Sequence, residues 1–330
     1  MNRKEFIRTA AAAAFVARLT ERFAFAAPPG GMPYRPLGHT GEKVSLLGIG
    51  GYHIGKRSVP ESTAIDIIRT ALDGGVNFLD NSWDYNNGES EARMGKALRD
   101  GYRTKAFVMT KVDGRTARAA SQQLDESLKR LQVDCIDLIQ IHEVIRMDDP
   151  DRVFAPGGAI EALVKARDAG KVRYIGFTGH KSPDIHLHML DVADRHGFVF
   201  DAVQMPLNVM DAHFSSFGQR VLPVALQKDI GVLGMKPIGD AMILKSRTAT
   251  AVQCLQFAMT LPVSVCITGC DSMKILEQGL EVARNFKPLG QGEVAAILAK
   301  TELAASKGEF ELYKTTDRND STKRNLKNLG

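Results

Sequence analysis

The sequence predicts an α/β protein of the (β/α)8 (TIM) barrel class, and three observations carry that prediction. Eight short apolar runs alternate with eight stretches of 3.6-residue apolar period. The runs are rich in Val, Ile and Leu, as strands buried on both faces are. The alternation fills roughly 250 residues, the usual extent of such a barrel, with an open doubly wound sheet as the competing architecture.

In chain order the strands are expected at 44–51 (VSLLGIGG), 77–82 (NFLDNS), 106–112 (AFVMTKV), 137–142 (DLIQIH), 172–178 (VRYIGFT), 202–207 (AVQMPL), 231–235 (GVLGM) and 263–269 (VSVCITG). Each is too short for a core helix and ends where polar residues begin. Helices are expected between and after them at 61–73, 90–99, 117–131, 158–169, 183–195, 217–228, 248–260 and 272–283. A helix after each strand is the crossover that parallel neighbours require.

A barrel decides where chemistry can occur, because the C-terminal strand ends and the loops after them line one mouth. Asp80 and Tyr85 in NFLDNSWDY, Lys111 in FVMTKV and His142 in LIQIHE all fall there. Taken singly, each has a bland reading: a mouth ion pair, a solvent-facing tyrosine, a satisfied strand-end histidine. Together they bring a carboxylate, a phenol, an ammonium and an imidazole from three consecutive strands to one pocket, which is a proton-transfer site.

Composition narrows the class. The 330 residues are 44% hydrophobic and 25% charged with net charge +5, enough for a large core and without a call for disorder or a membrane span. Basic residues are dispersed among acids, so no nucleic-acid partner is expected. Cys135, Cys254, Cys266 and Cys270 show no CxxC pair and read as core thiols. No metal is expected either, since His186 and His188 sit two apart on a helix and point to different sides, away from a common site with His180. The glycines at 48, 50, 51 and 55 miss the dinucleotide spacing, with His53 where the third glycine would stand.

The first 27 residues stand apart. Arg3, Lys4 and Arg8 precede the apolar run 10–17, and Ala24-Phe25-Ala26 follows as an AxA-like cleavage site. NRKEFIR resembles a twin-arginine export signal with Lys4 in place of the second arginine. A periplasmic or exported protein is expected, with the export machinery as a partner; the alternative is an amphipathic leader on a cytoplasmic protein. The domain reading is therefore 1–27 export signal, 28–310 barrel and 311–330 polar tail. That tail either lies across the mouth or is mobile.

The segments YRPLGHTGEKVSLLGIGG, GVNFLDNSWDYNNGESEARMGKAL, MTKVDG and DLIQIHE closely resemble the aldo-keto reductase superfamily over about 33–285. The resemblance implies a (β/α)8 barrel that uses NADP(H) or NAD(H) to move hydride to or from the carbonyl of an aldehyde, ketone or sugar. Carried over, Tyr85 is the general acid, and Lys111 stabilises its anion, since a free phenol near pKa 10 is a poor donor at neutral pH. Asp80 pairs with Lys111, and His142, taken as neutral, donates a hydrogen bond that orients the substrate oxygen. Tyr52 and Trp83 are candidate pocket walls.

The same resemblance implies a cofactor site. Thr178 and His180 in GFTGH replace a Ser-Asn pair that holds the nicotinamide carboxamide, Gly179 being unable to supply an amide. Gln204 matches the glutamine that contacts the carboxamide, Met235 stands where a tyrosine often stacks, and Lys236 reaches toward the pyrophosphate. Gly269 and the helix start after it, with Lys274, would hold the adenosine phosphate. NADP is preferred to NAD on Lys274, although Asp271 argues the other way. A noncatalytic nicotinamide-binding sensor or partner subunit is the alternative function.

Overall fold

The eight apolar runs pair as parallel neighbours and close on themselves. The computed structural model describes residues 31–330, and the expected export signal at 1–27 lies outside the described residues. A hairpin of β1 (Tyr34–Pro36) and β2 (Lys43–Ser45) precedes the barrel strands β3 (Leu47–Gly50), β4 (Phe78–Asp80), β5 (Phe107–Val112), β6 (Ile136–Ile141), β7 (Val172–Thr178), β8 (Ala202–Pro206), β9 (Gly231–Met235) and β10 (Val265–Gly269). They run in sequence order around the ring, with β10 paired to both β3 and β9. Closure of the ring rules out the open sheet and confirms the (β/α)8 barrel.

Strand side chains alternate between two apolar compartments, as the two-residue period requires. Phe78, Phe107, Met109, Leu138 and Leu233 fill the barrel, while Leu79, Val108, Ile139, Ile175 and Val232 face the helices. Phe107 stacks between Phe78 and Tyr174 at centroid distances of 5.4 and 6.3 Å. The inward face of β5 continues from Phe107 and Met109 to Lys111, so the period that packs the floor also delivers an ammonium to the mouth. The hairpin closes the opposite end. Its Arg35 donates to the carbonyls of Met259 (2.8 Å), Leu261 (3.0 Å) and Val263 (2.8 Å), which ties it to the chain entering β10.

Three expectations change. The run 44–51 divides, because Val44 and Ser45 pair with β1 whereas Leu47 onward pairs with β10. The helix 217–228 breaks at Val221 into Phe217–Arg220 and Leu222–Gln227, where Pro223 lacks the N–H a continuous helix would use. A helix at Gln291–Ala305 was not expected. It buries Val294, Ile297, Leu298, Thr301 and Ala305 at helical spacing, and the 89% exposed Leu303 blurs that pattern. The C-terminal segment lies across the mouth, where Lys181 Nζ reaches Thr316 O at 2.7 Å and Arg115 N reaches Leu329 O at 2.8 Å.

Candidate active site

Asp80, Tyr85, Lys111 and His142 come together as the strand reading requires. Lys111 is almost fully buried and directs its ammonium at the carboxylate of Asp80, at Asn81 O (2.6 Å) and at Tyr85 Oη (3.4 Å). All three donor directions are thus used. Gln204, from the far side of the barrel on β8, donates Nε2 to the second oxygen of Asp80 at 2.8 Å. The phenol is carried by a 3-10 turn, Tyr85–Gly88, in which Asn86 and Asn87 take φ of 53° and 57°, a region asparagine tolerates better than most residues. Its ring lies edge-on to Tyr52 (5.5 Å) and to His142 (5.7 Å).

The electrostatics differ from the expectation in two places. The phenol of Tyr85 is pushed well above its ordinary value, first by burial and then by Asp80, Asp84, Glu143 and Asp113. The ammonium of Lys111 lies 3.4 Å from the phenol oxygen, with the carboxylate of Asp80 against it. His142 is raised as well. Burial alone would lower it, and Asp84, Asp113 and Glu143 reverse that. The sequence reading took this imidazole as neutral, whereas the surrounding carboxylates raise its pKa above the ordinary value.

His142 owes its raised pKa to acids outside the four residues first identified. Nδ1 faces Asp113 Oδ1 at 2.8 Å, Ser82 Oγ at 3.2 Å and Asp84 Oδ1 at 3.5 Å. Asp84, Asp113 and His142 offer ligand atoms within 4.8 Å of one another, close enough for a cation. Each is already engaged, however: Asp84 by Ser82 and Ser321, Asp113 by His142 and Asn328. Below the ring, the fully buried Arg115 donates to Asp149 Oδ1 (2.9 Å) and to the carbonyls of Asp113 (2.7 Å), His142 (2.8 Å) and Glu143 (2.9 Å). Asp113 carries a spacing signal, standing two residues beyond Lys111 and just past the end of β5. Asp84 and Arg115 carried no such signal.

The expected cofactor residues lie along the β7 to β10 side of the mouth. Thr178 ends β7 and is buried. His180 has Nε2 committed to Asp320 at 3.0 Å, so only Nδ1 remains for another partner. A Cβ on Gly179 would overlap Val144 O and lie 2.8 Å from the His186 ring, so no side chain fits there. Gln204 is the most informative: with Nε2 given to Asp80, its buried Oε1 has no partner among the described residues. An orphaned buried acceptor is costly, and a carboxamide N–H would satisfy it. The polar set thus fits a nicotinamide.

Met235 ends β9 on its inward face. Lys236 follows in left-handed backbone (φ 55°), its ammonium 5.5 Å from the Tyr313 ring centroid, and burial lowers its pKa. Over Gly269 lies the ring of His53, whose Nε2 meets Asp240 Oδ1 at 3.2 Å and so bridges the loops after β3 and β9. Lys274 and Asp271 are exposed at the start of the helix Met273–Arg284, whose N-cap Ser272 makes no side-chain cap. Tyr52 lies beside the phenol as expected of a wall. Trp83 is instead tied outward, its indole N–H on Glu126 at 2.7 Å. His186 packs inward on Phe177 and Phe217, while His188 reaches Asp151 outside.

Comparison with known proteins agrees with the fold. Residues 46–254 match the Aldo/keto reductase family. The chain is 28% identical over 315 residues to L-galactose dehydrogenase of Arabidopsis thaliana, covering 80% of this chain and 93% of that protein. It is 31% identical over 216 residues to aldo-keto reductase YhdN of Bacillus subtilis, 61% of each. Among solved structures it superposes on the holo form of aldo-keto reductase AKR11C1 from Bacillus halodurans with TM-score 0.67 and 22% identity, over 82% of this chain and 96% of that one, a likeness of fold. The chain belongs to the aldo/keto reductase family, whose members are NAD(P)H-dependent oxidoreductases.

Proposed function

We propose that this protein moves hydride between a nicotinamide and the carbonyl of an aldehyde, ketone or sugar, with Tyr85 as general acid. The observation that supports this most is the single buried cluster in which Lys111 meets Asp80, Asn81 O and Tyr85 beside the ring of His142. Similarity to a protein named L-galactose dehydrogenase supports a sugar within that class.

The bound nicotinamide would supply the hydride. Thr178, Nδ1 of His180, Oε1 of Gln204 and Met235 would hold its carboxamide end, and Lys236 the pyrophosphate. Gly269 and the helix start with Lys274 would hold the adenosine phosphate, which favours NADP over NAD despite Asp271. Burial and nearby carboxylates keep the phenol protonated at neutral pH, so its proton is present when the carbonyl oxygen needs it. Lys111 then faces the phenolate that remains, and Asp80 with Gln204 keeps the ammonium in place. His142 directs Nε2 at the oxygen and orients it.

Residues 1–27 read as an export signal, so the working place is outside the cytoplasm. Nicotinamides are not freely available there, which favours folding around a retained cofactor before export. The test is Tyr85→Phe. Hydride transfer is expected to fall by roughly 10²–10⁴-fold while cofactor binding survives. Unchanged turnover would exclude Tyr85 as the acid, and binding without turnover in the unsubstituted protein would favour the noncatalytic sensor.

A further inference from the structure

The C-terminal tail reaches the two carboxylates that face His142. Ser321 Oγ donates to Asp84 Oδ2 at 2.6 Å, and Asn328 Nδ2 donates to Asp113 Oδ2 at 3.2 Å. The other oxygen of each acid faces Nδ1 of the imidazole, at 3.5 and 2.8 Å. Carboxylates only accept, so Nδ1 must carry a hydrogen and donate. A neutral ring would then offer only a lone pair at Nε2. To donate toward a substrate oxygen as well, His142 must carry both hydrogens. The opposite neutral tautomer would aim the Nδ1 lone pair at two carboxylates.

Other charged groups around the ring agree. Glu143 follows it in the chain, in left-handed backbone (φ 45°), and Arg115 is engaged below by the carbonyls of His142 and Glu143. Lys111 is on the other side of Tyr85, neutralised by Asp80. The tail is seated independently of its two side-chain contacts to the acids. Ser321 N and Thr322 N donate to Glu143 at 3.1 and 2.8 Å, and Asp320 meets His180 and Lys181 at 3.0 and 2.8 Å.

We propose that Ser321 and Asn328 are positioning residues of the catalytic centre: by holding Asp84 and Asp113 against Nδ1, the tail makes His142 a doubly protonated donor whose Nε2–H stabilises the oxygen as it becomes an alkoxide. This rests on the reductase reading above. A charge-assisted hydrogen bond aimed at developing negative charge is roughly twice as strong as a neutral one, and it lowers the barrier because the charge exists only in the transition state.

The experiment uses the full chain and the double variant Ser321→Ala/Asn328→Ala, in which the backbone bonds to Glu143 persist, together with Asp113→Asn. Two readouts are taken: the ring-nitrogen NMR titration of His142 in cofactor-free protein, and kcat against pH with NADPH and a carbonyl substrate. In both variants the His142 titration is expected to move to lower pH. The alkaline limb of kcat moves with it, so that kcat at pH 8 drops on the order of tenfold, less than the ~10²–10⁴-fold a positioned acid supplies, and recovers at pH 6 with KM little changed. An unmoved titration in both variants, or a loss equal at every pH, would make the tail a structural strap and overturn the proposal. If the titration moves but even the unsubstituted protein does not turn over, the coupling stands and the reductase reading fails.

Discussion

Replacing Arg115 by methionine tests whether the mouth is built around one buried cation. The guanidinium is fully enclosed, pairs with an equally enclosed Asp149, and serves three backbone carbonyls from the loops after β5 and β6. Removing one member of a buried pair costs about 3–5 kcal/mol. Asp149 retains N–H bonds from Ile145 (2.9 Å) and Arg146 (3.0 Å), which puts its share at the lower end. The carbonyls of Asp113, His142 and Glu143 each lose a donor, at about 1 kcal/mol apiece. A total near 6 kcal/mol follows, read as the drop in unfolding free energy from urea titration. Arg115→Met/Asp149→Asn should lose less than the sum of the single losses, because neither leaves a buried charge behind. A loss below about 1 kcal/mol for Arg115→Met, or strict additivity, would refute the idea that this pair organises the mouth.

Two further outcomes are expected. Gly179→Ala should lose on the order of 1–3 kcal/mol in thermal unfolding, because its methyl would overlap Val144 O across the β6–β7 junction; an unchanged midpoint would mean that the junction is slack. His186 gives a pH dependence. Burial lowers its pKa from 6.5 to about 4, so between those values the unfolded chain binds the proton and the folded chain does not. Stability from this residue is complete above pH 6.5 and lost as pH falls toward 4, by roughly 3 kcal/mol. Urea midpoints for the protein and His186→Leu should converge on acidification, and parallel curves would contradict the assignment.

Much of the fold was written in the apolar runs, because eight strands buried on both faces leave an unbroken Val, Ile and Leu signal. Register came with it. Once β4, β5 and β6 are parallel neighbours, Asp80, Lys111 and His142 must share a mouth, whichever helices cover the outside. The sequence was silent on the supports. Asp84, Arg115 and Glu143 sit in loops whose direction depends on long-range packing, and nothing in their spacing marks them as facing His142. The sign of two titrations was also out of reach. The pairing of Lys111 with Asp80 was expected, but the burial and the further carboxylates that raise the Tyr85 phenol were not, and His142 looked neutral until Asp84, Asp113 and Glu143 surrounded it. The tail read equally as strap or mobile end, since many of its polar residues find their partners far along the chain, Asp320 on His180 and Ser321 on Asp84 among them, 140 and 237 positions away.

The most direct test of the central claim is a fluorescence titration of nucleotide-free protein, from residue 28 onward, with NADPH and NADH separately. Saturable binding of either, tighter for NADPH and weakened in Gln204→Leu, is the expected result, since the orphaned Oε1 would then be the carboxamide acceptor. Folded protein that binds neither nucleotide would contradict it, and the buried Asp80, Tyr85, Lys111 and His142 cluster would then be a relic without a hydride to receive.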